Sequence, residues 1–352
     1  MENNKIKVGL IGWGISAKVF HAPFIKASPH YEVTHVLERH KHESKEVFPE
    51  AEIVTNIEDL LRQNIDLVVI TTPNDTHYPY TLAALEANKN VVVEKPFTIF
   101  SNDALQLINK AKQKELLLAV YHNRRYVSDY LTIKKILDKK LLGDVHTFEA
   151  HYDRYRAEER PDAWREKPTA GSGILYDLGA HLIDQSLTLF GLPKEITAKT
   201  KLQRPHAKAV DWFDLNLNYG FLEVTLQSGM LVREPGPRYL VHGTKGSFIK
   251  SGEDPQEAKL RAGEAPSEKS GEEGEEIWGL LHTEMDGRII KEKVPSEKGN
   301  YGLFYEDLYQ TLQNQKPFPI KPEQAYNVIK IIELAEKSSK TKCTVSCEGL
   351  IA

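Results

Sequence analysis

Apolar positions follow two rhythms along this chain, and the change falls near residue 121. Before it, short continuous apolar runs alternate with stretches of helical composition. Residues 5–12, 65–70, 90–94 and 116–120 read as strands buried on both faces. Residues 31–37 read as an alternating, β-branched strand. Between them, residues 17–27 (interrupted by Pro23), 57–62, 78–87 and 101–114 read as helices, the last with Ser101 as N-cap. Strand and helix in alternation predict a doubly wound parallel α/β sheet over residues 1–121. After a helix at 129–139 the strand-like runs come one after another, at 145–152, 196–202, 212–219, 221–227 and 238–242. Such runs predict an α+β domain with an open, mostly antiparallel sheet over residues 122–352. Residues 253–276 are dense in Glu, Lys, Gly and Pro and read as a solvated insertion or loop. Residues 301–313 and 322–337 read as helices.

Composition narrows the class. The 352 residues are 40% hydrophobic and 27% charged, with a net charge of -4, as expected of a two-domain globular chain. That balance points to neither nucleic acid nor membrane as the main partner. Cys343 and Cys347 are too few for a disulfide framework and lack a matching second pair for a metal, so no metal is expected. The opening MENNK leads straight into an apolar strand, and no run approaches the roughly 18 apolar residues of a membrane span. A cytoplasmic location is the expectation.

Candidate chemistry starts at Gly12-Trp13-Gly14-Ile15-Ser16-Ala17, a G-x-G-x-x-A pattern after the first strand and before a helix. The glycines permit a tight turn and close approach of a pyrophosphate, which free N–H groups of the helix N-terminus then bind. This makes the first domain a Rossmann dinucleotide-binding unit. Glu38, about 20 residues past the loop, suits the free ribose hydroxyls of NAD. Arg39 beside it suits the 2′-phosphate of NADP, since its fork matches phosphate oxygens. Both cofactors stay open at this point, with NADP favoured. Glu94-Lys95-Pro96 follows a buried strand directly, which places Lys95 at the cofactor crevice. Its ammonium there can hydrogen-bond a substrate hydroxyl and stabilise developing oxyanion character.

The stretch Gly173-Ile-Leu-Tyr-Asp177-Leu-Gly-Ala-His181-Leu-Ile-Asp184 is mostly apolar, yet in a helix Asp177, His181 and Asp184 share one face. Alone, His181 reads as a core histidine. With both carboxylates in register it reads as a proton acceptor, because oxidation of an alcohol removes a proton as hydride departs. Asp177 is placed to orient it or to bind a second hydroxyl, and Asp184 to hold the helix. Asn123 and Arg124 after the last Rossmann strand, Tyr155 and Arg156 at a later strand end, and Trp164 and Arg165 before the glycine turn are candidate substrate contacts. A polyol demands several such donors and acceptors.

Four motifs in order carry a resemblance over the whole chain: the glycine loop, Thr72-Pro73-Asn74-Asp-Thr-His77, Glu94-Lys95-Pro96, and the segment from Gly173 to Asp184. The chain resembles the Gfo/Idh/MocA family of NAD(P)-dependent oxidoreductases. The resemblance implies Lys95, Asp177 and His181 as a catalytic trio. It implies cofactor contacts from Gly12, Trp13, Gly14, Ser16, Ala17, Glu38, Arg39, Thr72, Pro73, Asn74, His77, Glu94 and Lys95. It also implies homodimers or homotetramers formed through the C-terminal sheet. Val19-Phe-His-Ala-Pro23 and Val36-Leu-Glu38-Arg39 are similar to a branch containing NADP-dependent scyllo-inositol dehydrogenases. Ala17 in place of a third glycine, and Gly171-Ser-Gly173 in place of three, are departures the motif tolerates. The expected function is NAD(P)-dependent oxidation of a secondary alcohol of a cyclic polyol or sugar. Two alternatives on the same fold are a non-catalytic cofactor sensor and an NAD-dependent glycosidase.

Overall fold

The computed structural model describes residues 5–160 and 163–352; most of the opening MENNK, residues 1–4, lies outside them. Six strands form the first sheet: β1 (Ile6–Ile11), β2 (Tyr31–Leu37), β3 (Glu52–Val54), β4 (Leu67–Ile70), β5 (Asn90–Val93) and β6 (Leu118–Val120). Their order is β3-β2-β1-β4-β5-β6, all parallel. The residues of β4, and Val91, Val92 and Val93 of β5, are inaccessible to solvent. Helices cover both faces of a parallel sheet, so its central strands need apolar side chains on both sides. The order reverses between β1 and β4, and the carboxyl ends of the strands there are where open α/β sheets bind ligands.

This sheet belongs to a compact unit made of the described residues up to Asn123 together with Gln256–Ser270 and Asn300–Tyr326. The helix Gln256–Arg261 packs on the turn Ala17–His21, with Leu260 and Gln256 buried. Gln256 also accepts a hydrogen bond from Tyr301 N at 2.8 Å.

The second unit takes Arg124–Pro255, Gly271–Gly299 and Asn327–Ala352. Its sheet has nine strands: β7 (Val145–His151), β8 (Glu195–Lys201), β9 (Trp212–Asn218), β10 (Glu223–Gly229), β11 (Tyr239–Gly243), β12 (Gly246–Lys250), β13 (Gly279–Met285), β14 (Arg288–Val294) and β15 (Val345–Ser346). They run in the order β14-β13-β12-β11-β7-β10-β9-β8-β15. Only β7 and β10 pair in parallel; the other pairs are antiparallel. In β9 and β10 burial alternates, with Phe213, Leu215, Leu217, Val224 and Leu226 inaccessible. One face of this sheet thus supplies the core, as alternation requires.

Three expectations need correction. The stretch 253–276 is solvated only in part: residues 261–265 and 267–269 are exposed, but it includes the helix Gln256–Arg261, and Glu273 and Lys250 form an ion pair at 2.8 Å with no solvent exposure on either side chain. Ser296 and Ser128 also donate to Glu273. Its composition hides a buried charge because every partner lies far away in sequence. Ser101 is the first helical residue rather than the cap, which falls on Phe100. Strands β3, β12, β13 and β14 escape the hydrophobic pattern because they are short or carry Lys, Glu and Arg on an exposed face.

Candidate active site

At the carboxyl edge of the first sheet the chain leaves β1 through Gly12, whose φ is +94°. A Cβ there would come within 2.9 Å of Thr72 Cγ2, so both conformation and space demand glycine. Around Gly14 no atom lies within 4 Å of where a Cβ would sit. That open ground, flanked by the turn Ala17–His21, fits a cradle for a dinucleotide's phosphates. Ala17 is fully buried under it, and Trp13 lies edge-on to Phe48 with ring centres 6.0 Å apart.

Ser16 donates to the buried carboxylate of Glu94, tying the glycine loop to the residue before Lys95. Glu94 also takes Lys95 N at 2.9 Å and meets His21 Nε2 at 3.0 Å. The His21 ring continues to Tyr305 Oη at 2.6 Å and lies 4.2 Å from the Tyr121 ring. Burial alone would raise the Glu94 carboxyl. The hydrogen bond and charge of His21, then Ser16 and Lys95, outweigh it and hold the group at about 2. Glu94 is therefore a fixed anion under the main chain of Lys95. His21 and Tyr305 were not candidates from the sequence; nothing local marks residues 284 positions apart as partners.

Glu38, the expected ribose ligand, is engaged by the loop that follows it. Its carboxylate accepts Glu43 N at 2.9 Å, Ser44 N at 3.0 Å and Ser44 Oγ at 2.7 Å. It caps the turn Glu43–Glu46 as an N-cap would. Arg39 stays exposed and donates to Tyr80 Oη at 2.9 Å. In the loop after β4, the fully buried His77 faces two backbone carbonyls, Pro96 O at 2.8 Å and Thr72 O at 3.0 Å. Burial pushes its imidazole below the ordinary value. It clasps the Thr72-Pro73 turn to Pro96, so its role is to shape the loop. Asn74 is buried in the short turn between them.

In the second unit the segment holding Asp177 and His181 starts from Gly173, at φ +81°. A Cβ at Gly173 would sit 2.7 Å from Val210 O, and Ile174 N bonds that same carbonyl at 2.8 Å. The segment is not one regular helix. A π-turn, Leu175–Gly179, runs into the α-helix Ala180–Phe190. Such insertions concentrate at functional sites. Its three polar residues meet different partners. Asp177 pairs with Arg165 Nε at 3.2 Å. His181 is buried with its ring 6.3 Å from that of Tyr152. Asp184 takes Arg125 Nε at 2.8 Å and Nη2 at 2.6 Å, a buried two-pronged pair.

The candidate substrate residues divide. Arg156, Arg165 and Asp177 line one cavity, and Trp164 stacks under the Arg165 guanidinium at 4.5 Å. Tyr155 is exposed beside them, covered by Arg233 at 3.8 Å. Asn123 and Arg124 are buried, and the Arg124 carbonyl accepts Gln185 Nε2 at 2.8 Å. The sequence reading missed Arg154, Arg204 and Arg238, whose acidic partners Glu253, Asp211, Glu166 and Asp129 only the fold reveals.

Comparison with known proteins agrees with this geometry. The oxidoreductase-family NAD-binding Rossmann fold (Gfo/Idh/MocA) matches residues 6–122, and that family's C-terminal alpha/beta domain matches residues 134–347. The chain is 42% identical over 345 residues to scyllo-inositol 2-dehydrogenase (NADP(+)) IolW of Bacillus subtilis, covering 97% of this chain and 96% of that one. It is 41% identical over 346 residues to the oxidoreductase YdgJ of Escherichia coli, covering 97% and 99%. The solved structure of the oxidoreductase YvaA from Bacillus subtilis superposes with a TM-score of 0.95 at 41% identity, covering 98% of this chain and 99% of that one.

Proposed function

For a chain that belongs to the Gfo/Idh/MocA family of oxidoreductases, we propose NADP-dependent oxidation of a secondary alcohol on a cyclic polyol or sugar, of scyllo-inositol type. The observation that carries this reading is the placement of Lys95. It follows β5 at the carboxyl edge that also holds the glycine loop, and the Ser16–Glu94 bond joins the two. When bound, the nicotinamide supplies the hydride acceptor. Lys95 donates a hydrogen bond to the reacting oxygen and stabilises the negative charge it gathers. His181 accepts the hydroxyl proton, and its burial keeps water from competing for that role. Asp177, oriented by Arg165, assists by holding a second hydroxyl.

The preference for NADP rests on Glu38 and Arg39. A carboxylate engaged by Ser44 and Glu43 N is withdrawn from the ribose hydroxyls that NAD would offer it. Arg39 remains an exposed cation next to it, suited to a 2′-phosphate. The NADP(+) dependence of the relative IolW supports the same choice. The family resemblance further supports self-association through the second sheet, which light scattering tests by finding a dimer or tetramer.

Turnover of scyllo-inositol, followed by reduced-cofactor absorbance, tests the catalytic roles. Lys95→Ala and His181→Ala are each expected to lower turnover by roughly 10²–10⁴-fold while NADPH still binds. Wild-type rates in both variants overturn the assignment. Arg39→Ala is expected to weaken NADP about tenfold or more and leave NAD unchanged.

A further inference from the structure

We propose that the cavity beside Asp177 is an anion subsite that takes a carboxylate or phosphate substituent of the substrate, with Arg156 as its principal ligand. The cavity has a volume of about 90 Å³ and four arginines in its wall against two acids, Glu166 and Asp177. Three of the four guanidiniums are already neutralised. Arg154 forks onto Glu253, its second bond measuring 3.1 Å. Arg204 reaches Asp211 at 3.0 Å and Glu166 at 2.6 Å. Arg165 holds Asp177 at 3.2 Å.

Arg156 differs. Among the described residues it has no ion-paired carboxylate, though its backbone N–H is anchored to Met230 O at 2.8 Å. Burial, then the neighbouring Arg160, push its guanidinium below the ordinary value. Arg160 and Arg204 near it oppose Glu166 and Asp177, which are already engaged by Arg204 and Arg165. An arriving anion stabilises such a half-buried cation, and its planar fork matches two oxygens of a carboxylate or phosphate. Size agrees. The cavity has room for a carboxylate or phosphate group. A neutral hydroxyl would fill the space and leave Arg156 without a carboxylate or phosphate partner.

Calling the occupant a substrate rests on the dehydrogenase reading; the binding measurement does not. The full-length protein, saturated with NADP to block its phosphate loop, is titrated in a calorimeter with D-glucuronate against D-glucose, and with inositol 1-phosphate against myo-inositol. At least one charged probe is expected to bind about tenfold or more tightly than its neutral counterpart. Arg156→Met abolishes that preference, and Arg156→Lys restores part of it. The pair that shows the preference identifies the group as carboxylate or phosphate. Equal binding of charged and neutral probes overturns the proposal, as does a preference that survives in Arg156→Met. Turnover of the same compounds separates the two ideas. A charge preference without any cofactor reduction leaves the subsite standing and removes the dehydrogenase reading. Turnover of neutral polyols without a charge preference does the reverse.

Discussion

Compare the carboxylates at the edge of the first sheet with those around Leu175–Phe190 in the second unit. Glu38 is held by N–H groups five and six residues further on. Glu94 is held by its neighbour's N–H, Ser16 and His21. Asp184 instead answers to an arginine 59 residues away, and Arg204 joins Asp211 to Glu166, 38 residues before it. Glu38 is fixed by neutral donors on a nearby turn, and Glu94 by one neighbouring main-chain donor together with Ser16 and His21 from 78 and 73 residues away. Full opposite charges fix the second set, from 59 residues away at Asp184 and from seven at Asp211. Main-chain donors survive most substitutions, whereas a lost guanidinium strands a buried anion.

The largest expected effect follows from that asymmetry. Arg125→Met should cost about 3–5 kcal/mol in a urea titration, because Asp184 stays buried without its partner. Adding Asp184→Leu should recover most of the loss. Equal loss in the single and double variants would refute the stranded-charge account. Next is Glu94. Its depressed carboxyl contributes stability that is complete above the ordinary value of 4.5 and is lost as pH falls towards about 2. The stability difference between wild type and Glu94→Gln should therefore be roughly 2–3 kcal/mol near neutrality and shrink through that acid window. A difference independent of pH would show that His21 and Ser16 do not hold the charge. Gly12→Ala should weaken NADPH binding by about 1–3 kcal/mol, read by cofactor fluorescence, since the positive φ and the Thr72 contact both oppose a Cβ. The smallest is Ser44→Ala, which removes one of three donors to Glu38 and should cost about 1 kcal/mol. If the freed carboxylate turned to the ribose, NAD use would rise, sharpening the cofactor argument.

The same contrast governs what could be read in advance. The parallel sheet was legible because its central strands are apolar on both faces, and the glycine loop because its constraint is local. The place of Lys95 after β5 followed from the run of Val91, Val92 and Val93. Residues 246–294 were opaque, since β14 presents Lys and Glu to solvent and Glu273 looks like its exposed neighbours. The π-turn at Leu175–Gly179 was also hidden: no local pattern marks it, and the glycine before it packs on the backbone of the distant Val210. The partners of Glu38 were hidden for a related reason: they depend on how the loop through Ser44 closes.

The first unit draws on three stretches of chain, the last ending at Tyr326. Synthesis from the N-terminus therefore completes the six-stranded sheet long before Tyr305 emerges to meet His21. A nascent or truncated chain stopping near Asn123 has every strand of its sheet and still exposes the apolar faces that Leu260, Phe304 and Leu308 help to bury. Such an intermediate is a natural client for chaperones. The nucleotide-binding unit, first to be started, is among the last parts of the protein to be finished.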